Sequence, residues 1–220
     1  MQARTAIPPT RKREGSTTPW LGAILDVLDS RLRLRHGVIE YTHHPYCLFR
    51  IELITSSNDV VLSDGVHVRP DDRLISLHVW NEQFPAFPAS GPTLAWARRV
   101  NRAFDISLRD LAQFLDSRPD LNDVMAICGN LPFESTERSD QLVRFMGRFG
   151  FERIAVNDPQ PLRPRMHWLG ENILISMMVL AHNAAALRTN TLWRDRTPVF
   201  LSRQTLRRRY GLVHCGQRSS

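Results

Sequence analysis

The chain has 220 residues, 42% of them hydrophobic and 23% charged, with a formal net charge of +7. That composition suits one globular domain with extensions and excludes a wholly disordered polypeptide. Lys12 is the only lysine, so Schiff-base chemistry and a phosphate-loop lysine are ruled out for the body of the chain.

The positive charge is nearly all arginine, which favours anionic partners. It gathers at the two ends: Arg4, Arg11, Lys12 and Arg13 near the start, and Arg203, Arg207, Arg208, Arg209 and Arg218 near the end. The middle is close to balanced. Cys47, Cys128 and Cys215 show no framework spacing, so reduced thiols in a cytoplasmic protein are the expectation. No apolar signal segment is visible.

Met1 to about Thr18 is rich in Pro, Thr and Arg without an apolar period, and reads as a disordered basic arm. Leu21, Ile24, Leu25, Leu28 and Leu32 then recur at helical spacing, with Gly37 as the stop. In Cys47-Leu48-Phe49-Arg50-Ile51-Glu52-Leu53 the odd positions are apolar, which predicts a strand with Arg50 and Glu52 facing outward. Val60-Val61-Leu62 and Val66 to Val68 are short strands separated by turns at Ser56–Asp59 and Asp64-Gly65. The strand Arg73-Leu74-Ile75-Ser76-Leu77-His78-Val79-Trp80 completes an antiparallel meander. Ile75, Leu77 and Val79 share one face of it, and Leu74, Ser76, His78 and Trp80 the other.

Phe84-Pro85-Ala86-Phe87-Pro88 breaks the sheet. Pro92 opens a helix with Leu94, Ala97, Val100 and Phe104 on one stripe. Ser107 reads as the cap of a second helix carrying Leu108, Leu111, Ala112 and Leu115. Val124 to Cys128 is a continuous apolar run, the mark of a buried strand, and Gly129-Asn130-Leu131-Pro132 reads as its loop. Leu142, Phe145, Met146 and Phe149 form a helical stripe ending at Gly150, and Phe151 to Val156 reads as a strand. This unit predicts a parallel pair joined by a right-handed crossover. Met166 to Arg188 is the longest expected helix; Glu171, Asn172, His182 and Asn183 make it too polar for a confident membrane span. Pro198 to Ser202 is a last strand, with Ser202 capping a short helix that Gly211 terminates.

The expected fold class is α+β: a small mixed sheet, built from an N-terminal antiparallel meander plus one βαβ unit, packed against several helices. A single domain over residues 19–211 lies between the arm at 1–18 and a flexible tail at 212–220.

The strand at 73–80 carries more polar chemistry than a strand needs. His78 and Glu82 are the candidate catalytic residues, His78 as general base because imidazole titrates near neutrality. Trp80 offers a stacking platform for a sugar ring, and Ser76 and Asn81 offer hydrogen bonds. Arg98, Arg99 and Arg203 are the candidate anion contacts. Against this pocket stands a plain alternative, a sheet face covered by a helix with its polar groups bonded to loop backbone. His43, His44 and Cys47 suggest zinc, but they need a distant fourth ligand that no second pair supplies. A strand-entry loop is the expectation there, with no metal and no cofactor. Gly129-Asn130 lies where parallel α/β units collect ligands, but no glycine-rich phosphate motif accompanies it. No GxSxG, HExxH, CxxC or kinase pattern occurs.

The run from Asp64-Gly65 through Asp71-Asp72-Arg73-Leu74-Ile75-Ser76-Leu77-His78-Val79-Trp80-Asn81 resembles the YkoP-like family, in which a Gly-Asp turn precedes a strand ending in Leu-His and Asn. Phe149-Gly150-Phe151-Glu152 and Phe200-Leu201-Ser202-Arg203 … Leu206 … Tyr210-Gly211 are similar to it as well. Asp71 stands where that family's pattern carries glycine. Some members are fused to polysaccharide deacetylase domains, which implies the cell envelope by association. The resemblance carries no catalytic residues. The expected function is a polar pocket that binds, or acts on, a sugar-like or phosphorylated envelope-lipid precursor. The other reading is a non-catalytic interaction module whose basic termini meet an acidic partner or a membrane surface. A nucleic-acid partner has no recognition helix or RNA-binding signature behind it, and the oligomeric state is left open.

Overall fold

The computed structural model describes residues 37–79, 83–85, 88, 91, 93–133, 136–153 and 195–211. The expected arm, first helix, long helix and tail lie outside the described residues, as do Trp80, Asn81 and Glu82.

Strand β1 (Phe49–Thr55) pairs antiparallel with β4 (Arg73–Val79), from Phe49 opposite Val79 to Thr55 opposite Arg73. Between them β2 (Val60–Val61) and β3 (His67–Val68) form a separate two-stranded sheet. The meander therefore splits into an outer strand pair and a small hairpin folded over it. A turn at Arg69–Asp72 leads into β4, and Asp71 adopts φ 70° there. That left-handed conformation suits glycine, and among other residues it is met best by Asn and Asp.

Helix α1 (Leu94–Asp116) follows, with the Thr93 side chain accepting from the Trp96 amide. It is one continuous helix, not the two that the sequence suggests. Ser107 is not a cap. Its hydroxyl donates to the Ala103 carbonyl one turn back (2.6 Å) and accepts the Leu48 amide (2.8 Å). A mid-helix serine is tolerated here because both roles of the hydroxyl are filled. A 3₁₀ turn (Pro119–Leu121) leads into β5 (Ala126–Phe133), which runs parallel to β4 with Leu74 beside Ala126 and Ser76 beside Cys128.

Gly129 to Pro132 continue β5 instead of forming a loop. The long partner β7 (Asp195–Ser202) pairs antiparallel along its whole length and overrides the local turn signals. Helix α2 (Thr136–Arg148) and β6 (Glu152–Arg153) come between them in sequence. β6 pairs antiparallel with β7, so the sheet order is β1-β4-β5-β7-β6. The expected pairing of the strand before α2 with the strand after it is thereby corrected. The two run in the same direction but are separated by β7, and the neighbouring parallel pair is β4 with β5, joined through α1. Helix α3 (Arg203–Tyr210) closes the domain with Ser202 as its cap, accepting from Thr205 N at 2.8 Å.

One face of the sheet carries Ile51, Ile75, Ile127, Val199 and Leu201 against Val100, Phe104, Leu108, Leu111 and Leu115 of α1, with Met146, Phe149, Leu206 and Tyr210. Each such side chain contributes about 1.5–3 kcal/mol by leaving water. Phe104 stands edge-on to Phe49 (centroids 4.7 Å apart) and stacks on Phe149 (4.6 Å). Gly150 (φ 96°) ends α2, and a Cβ there would lie 3.1 Å from both Arg209 and Leu201. Arg209 uses that space to donate to the Arg148 carbonyl (3.0 Å).

The opposite face carries Leu74, Ala126, Cys128 and Phe200, covered by Val60, Leu62 and Val68 of the hairpin. The hairpin turn is locked in place. Asp64 accepts from the Ser202 and Thr205 hydroxyls, and the Ser63 amide donates to Glu152 (3.0 Å).

Candidate functional site

Beyond the hairpin, towards the carboxyl end of β4, the second sheet face changes character. Alternation places Arg50 and Glu52 of β1 on the same side as Ser76 and His78 of β4. The register sets Arg50 opposite His78 and Glu52 opposite Ser76. Their outward direction, expected from the alternation, means this face and not solvent: Arg50, Glu52 and Ser76 are each only 7% exposed.

His78 Nε2 lies 2.9 Å from Glu52 Oε2, a diagonal contact across the strand pair. Arg50 Nε lies 3.2 Å from Glu40 Oε1. Glu40 reaches it because Ile39 bridges the outer edge of β1, exchanging two backbone hydrogen bonds with Ile51 (2.7 and 3.0 Å). Two carboxylates, a guanidinium and an imidazole are thus arrayed on one sheet face. With Nε2–H engaged by Glu52, the neutral ring keeps its lone pair on Nδ1. The His78 side chain is 29% exposed.

The other expected site residues distribute as follows. Ser76 joins the polar face beside Glu52. Arg98 and Arg99 are exposed on α1, the layer on the far side of the sheet from His78. Arg203 is engaged inside the fold, donating to the carbonyls of Leu115 (3.1 Å) and Leu121 and to Asn122 Oδ1 (3.1 Å). Of the basic cluster that follows, Arg207 pairs with Asp116 (2.9 Å) and Arg208 donates to Thr205 Oγ1 (3.3 Å). Glu52 and Arg50 were legible only as outward-facing strand residues. Glu52 finds its partner on a strand 26 positions away, and Arg50 finds Glu40 in the segment before β1, pairings that alternation alone does not specify.

His44 Nδ1 accepts the Tyr46 amide (3.2 Å), and the Cys47 thiol is buried against Tyr41 Oη (3.2 Å) and the Phe49 carbonyl (3.3 Å). Among the described residues no group of three metal-ligating side chains converges, and no helix is long and apolar enough to cross a membrane.

A family model, the YkoP domain, matches residues 24–210. The chain belongs to the YkoP domain family. No curated protein and no solved structure matches it. The matched span takes in all seven strands and all three helices described above, so the polar face at Glu52 and His78 lies within the YkoP domain.

Proposed function

We propose that the YkoP domain of this chain binds, or acts on, a sugar-like or phosphorylated cell-envelope lipid precursor at the face around His78. The observation that carries the reading is the Glu52–His78 hydrogen bond within a buried, multiply charged patch. Replacing such a buried pair with apolar residues of similar volume is often neutral or stabilising. Chemistry retained against that preference points to a ligand.

Each residue then has a role. Glu52 holds the imidazole in one tautomer, and Nδ1 accepts a proton from a ligand hydroxyl. Ser76 hydrogen-bonds a neighbouring hydroxyl. Arg50 supplies the cation for a phosphate, in the position that Arg98, Arg99 and Arg203 were expected to fill. Trp80, Asn81 and Glu82 lie two to four positions after His78 in sequence and are the candidates for ring stacking and for a second carboxylate. The envelope assignment draws on the family expectation, and the buried thiols Cys47 and Cys128 suit a reducing cytoplasm.

The test is native mass spectrometry of the purified chain against a panel of sugar phosphates and polyprenyl phosphates. Wild type should retain at least one of them, and His78→Ala and Glu52→Gln should lose it. Equal retention by both variants would sink the reading.

A further inference from the structure

Three of the four large hydrophobic side chains that stand exposed among the described residues lie at one end of the domain: Tyr46 (62% exposed), Val79 (52%) and Leu94 (69%). A chain of contacts holds them together. Val79 is the last residue of β4 and pairs with Phe49, three positions after Tyr46. The Gln83 side-chain amide faces the carbonyls of Pro45 and Cys47, and with its nitrogen turned towards them it donates to both (3.0 Å each), which ties the Tyr46 loop to the segment leaving β4. That segment meets the first turn of α1, where Phe84 packs on Trp96 (centroids 6.2 Å apart) and Trp96 Nε1 donates to the Pro85 carbonyl (3.2 Å). Leu94 stands two residues before that tryptophan.

The start of α1 carries charge of one sign. The first eleven residues of α1, Leu94 to Phe104, contain Arg98, Arg99 and Arg102 and no acidic residue. All three arginines are exposed, and none of them forms an ion pair among the described residues. Further along the same helix Arg109 does find a carboxylate, Asp105 at 3.4 Å. No carboxylate accompanies them on this stretch of the helix, so no ion pair within the described fold accounts for these arginines.

Exposed apolar tips, an amphipathic tyrosine and unneutralised arginines together match a bilayer interface. Apolar and aromatic side chains enter the headgroup boundary while arginines meet lipid phosphates. We propose that this end of the domain, formed by Tyr46, Val79, Leu94 and the Arg98–Arg102 turn, seats on an acidic phospholipid surface. An acidic protein or nucleic acid would account for the arginines but leaves the exposed Val79 and Leu94 without a role. The inference stands independently of the His78 reading, which concerns the polar sheet face, although His78 is the residue before Val79.

The experiment is co-sedimentation of the full chain with vesicles of pure phosphatidylcholine and of phosphatidylcholine with roughly a third phosphatidylglycerol. Wild type should pellet with the acidic vesicles and stay in solution with the neutral ones. Arg98→Glu combined with Arg102→Glu should weaken partitioning about tenfold or more. Leu94→Asp should weaken it several-fold with the charges of the arginines intact. All three positions are exposed, and an unchanged melting curve confirms that each variant folds. Failure of wild type to pellet overturns the proposal. So does unchanged partitioning of the arginine pair, which would assign binding to the basic ends of the chain. Loss with the arginine pair but none with Leu94→Asp would show adsorption by charge alone, without seating of the apolar tips, and also overturns it. Leu94→Asp should still retain any sugar phosphate or polyprenyl phosphate that wild type retains in native mass spectrometry, which separates this result from the pocket test.

Discussion

The carboxylate of Asp64 accepts the hydroxyl of Ser202 from 138 positions away in sequence. The same oxygen accepts Thr205 Oγ1 (2.7 Å), while Ser202 Oγ accepts the Thr205 amide as helix cap (2.8 Å). Docking of the β2–β3 hairpin and the start of α3 are therefore one network. Partial burial pushes the Asp64 carboxyl up, but the hydrogen bonds from Ser202, Thr205 and the Val66 amide outweigh it, and the net direction is down. A depressed folded-state pKa contributes stability that is present above the unfolded value and is lost as pH falls through the folded one. Asp64→Asn should lower stability by about 1–3 kcal/mol near neutral pH, and the gap to wild type should narrow below about pH 4. Urea midpoints for the two proteins across pH check this; a gap of the same size at pH 7 and pH 3 would contradict it.

Asp71 is the only described residue other than glycine with a positive φ, at 70°. It occupies the place where the family resemblance implies glycine. The turn is kept because its backbone is pinned, Asp71 N to the Ser56 carbonyl (2.9 Å) and Ser56 N to the Asp72 carbonyl (2.8 Å). A non-glycine residue in this region carries a steric cost of about 1–2 kcal/mol, less for aspartate. Asp71→Gly should match or exceed wild-type stability, and Asp71→Ala should fall below the glycine variant by about 1 kcal/mol. Thermal unfolding of the three proteins decides the order; an alanine variant at least as stable as the glycine one would refute the strain argument.

Arg203 fastens three elements at once. Its guanidinium spans the end of α1 at Leu115, the 3₁₀ turn at Leu121 and the Asn122 side chain. A lysine is a single point donor and cannot cover that fork. Arg203→Lys should cost about 2 kcal/mol, or a melting temperature lower by about 4–8 °C. A calorimetric scan within 1 °C of wild type, an outcome on the order of the noise in such shifts, would show that the clamp contributes little.

Much of the fold was legible because period and punctuation agree. Ile51, Ile75, Leu108, Leu111 and Leu115 sit in the core where their spacing puts them, and Ser202 and Gly150 mark helix ends as their chemistry dictates. What failed was non-local. Ser107 looks like a cap until the Leu48 amide is seen to need it. Gly129 to Pro132 look like a loop until β7 is laid alongside. For the site, alternation put His78 and Ser76 on one face. It did not reveal that Glu52 shares that face with them or that the face is buried, because strand parity says which side a residue takes and nothing of what covers it.

The Glu52–His78 contact separates a functional pair from a folding device. Removing one member of a buried polar pair strands the other and costs about 1–3 kcal/mol. Replacing both with apolar residues of similar shape removes the penalty along with the bond, and is often neutral or favourable. Glu52→Leu alone should therefore destabilise, whereas Glu52→Leu combined with His78→Leu should recover wild-type stability or better, with a coupling of about 0.5–3 kcal/mol in the double-mutant cycle. The same double variant should lose any ligand seen by native mass spectrometry. Stability recovered and ligand lost is the signature of groups kept for chemistry. A double variant less stable than either single one would instead make the pair a keystone of the sheet and remove the basis for a site there.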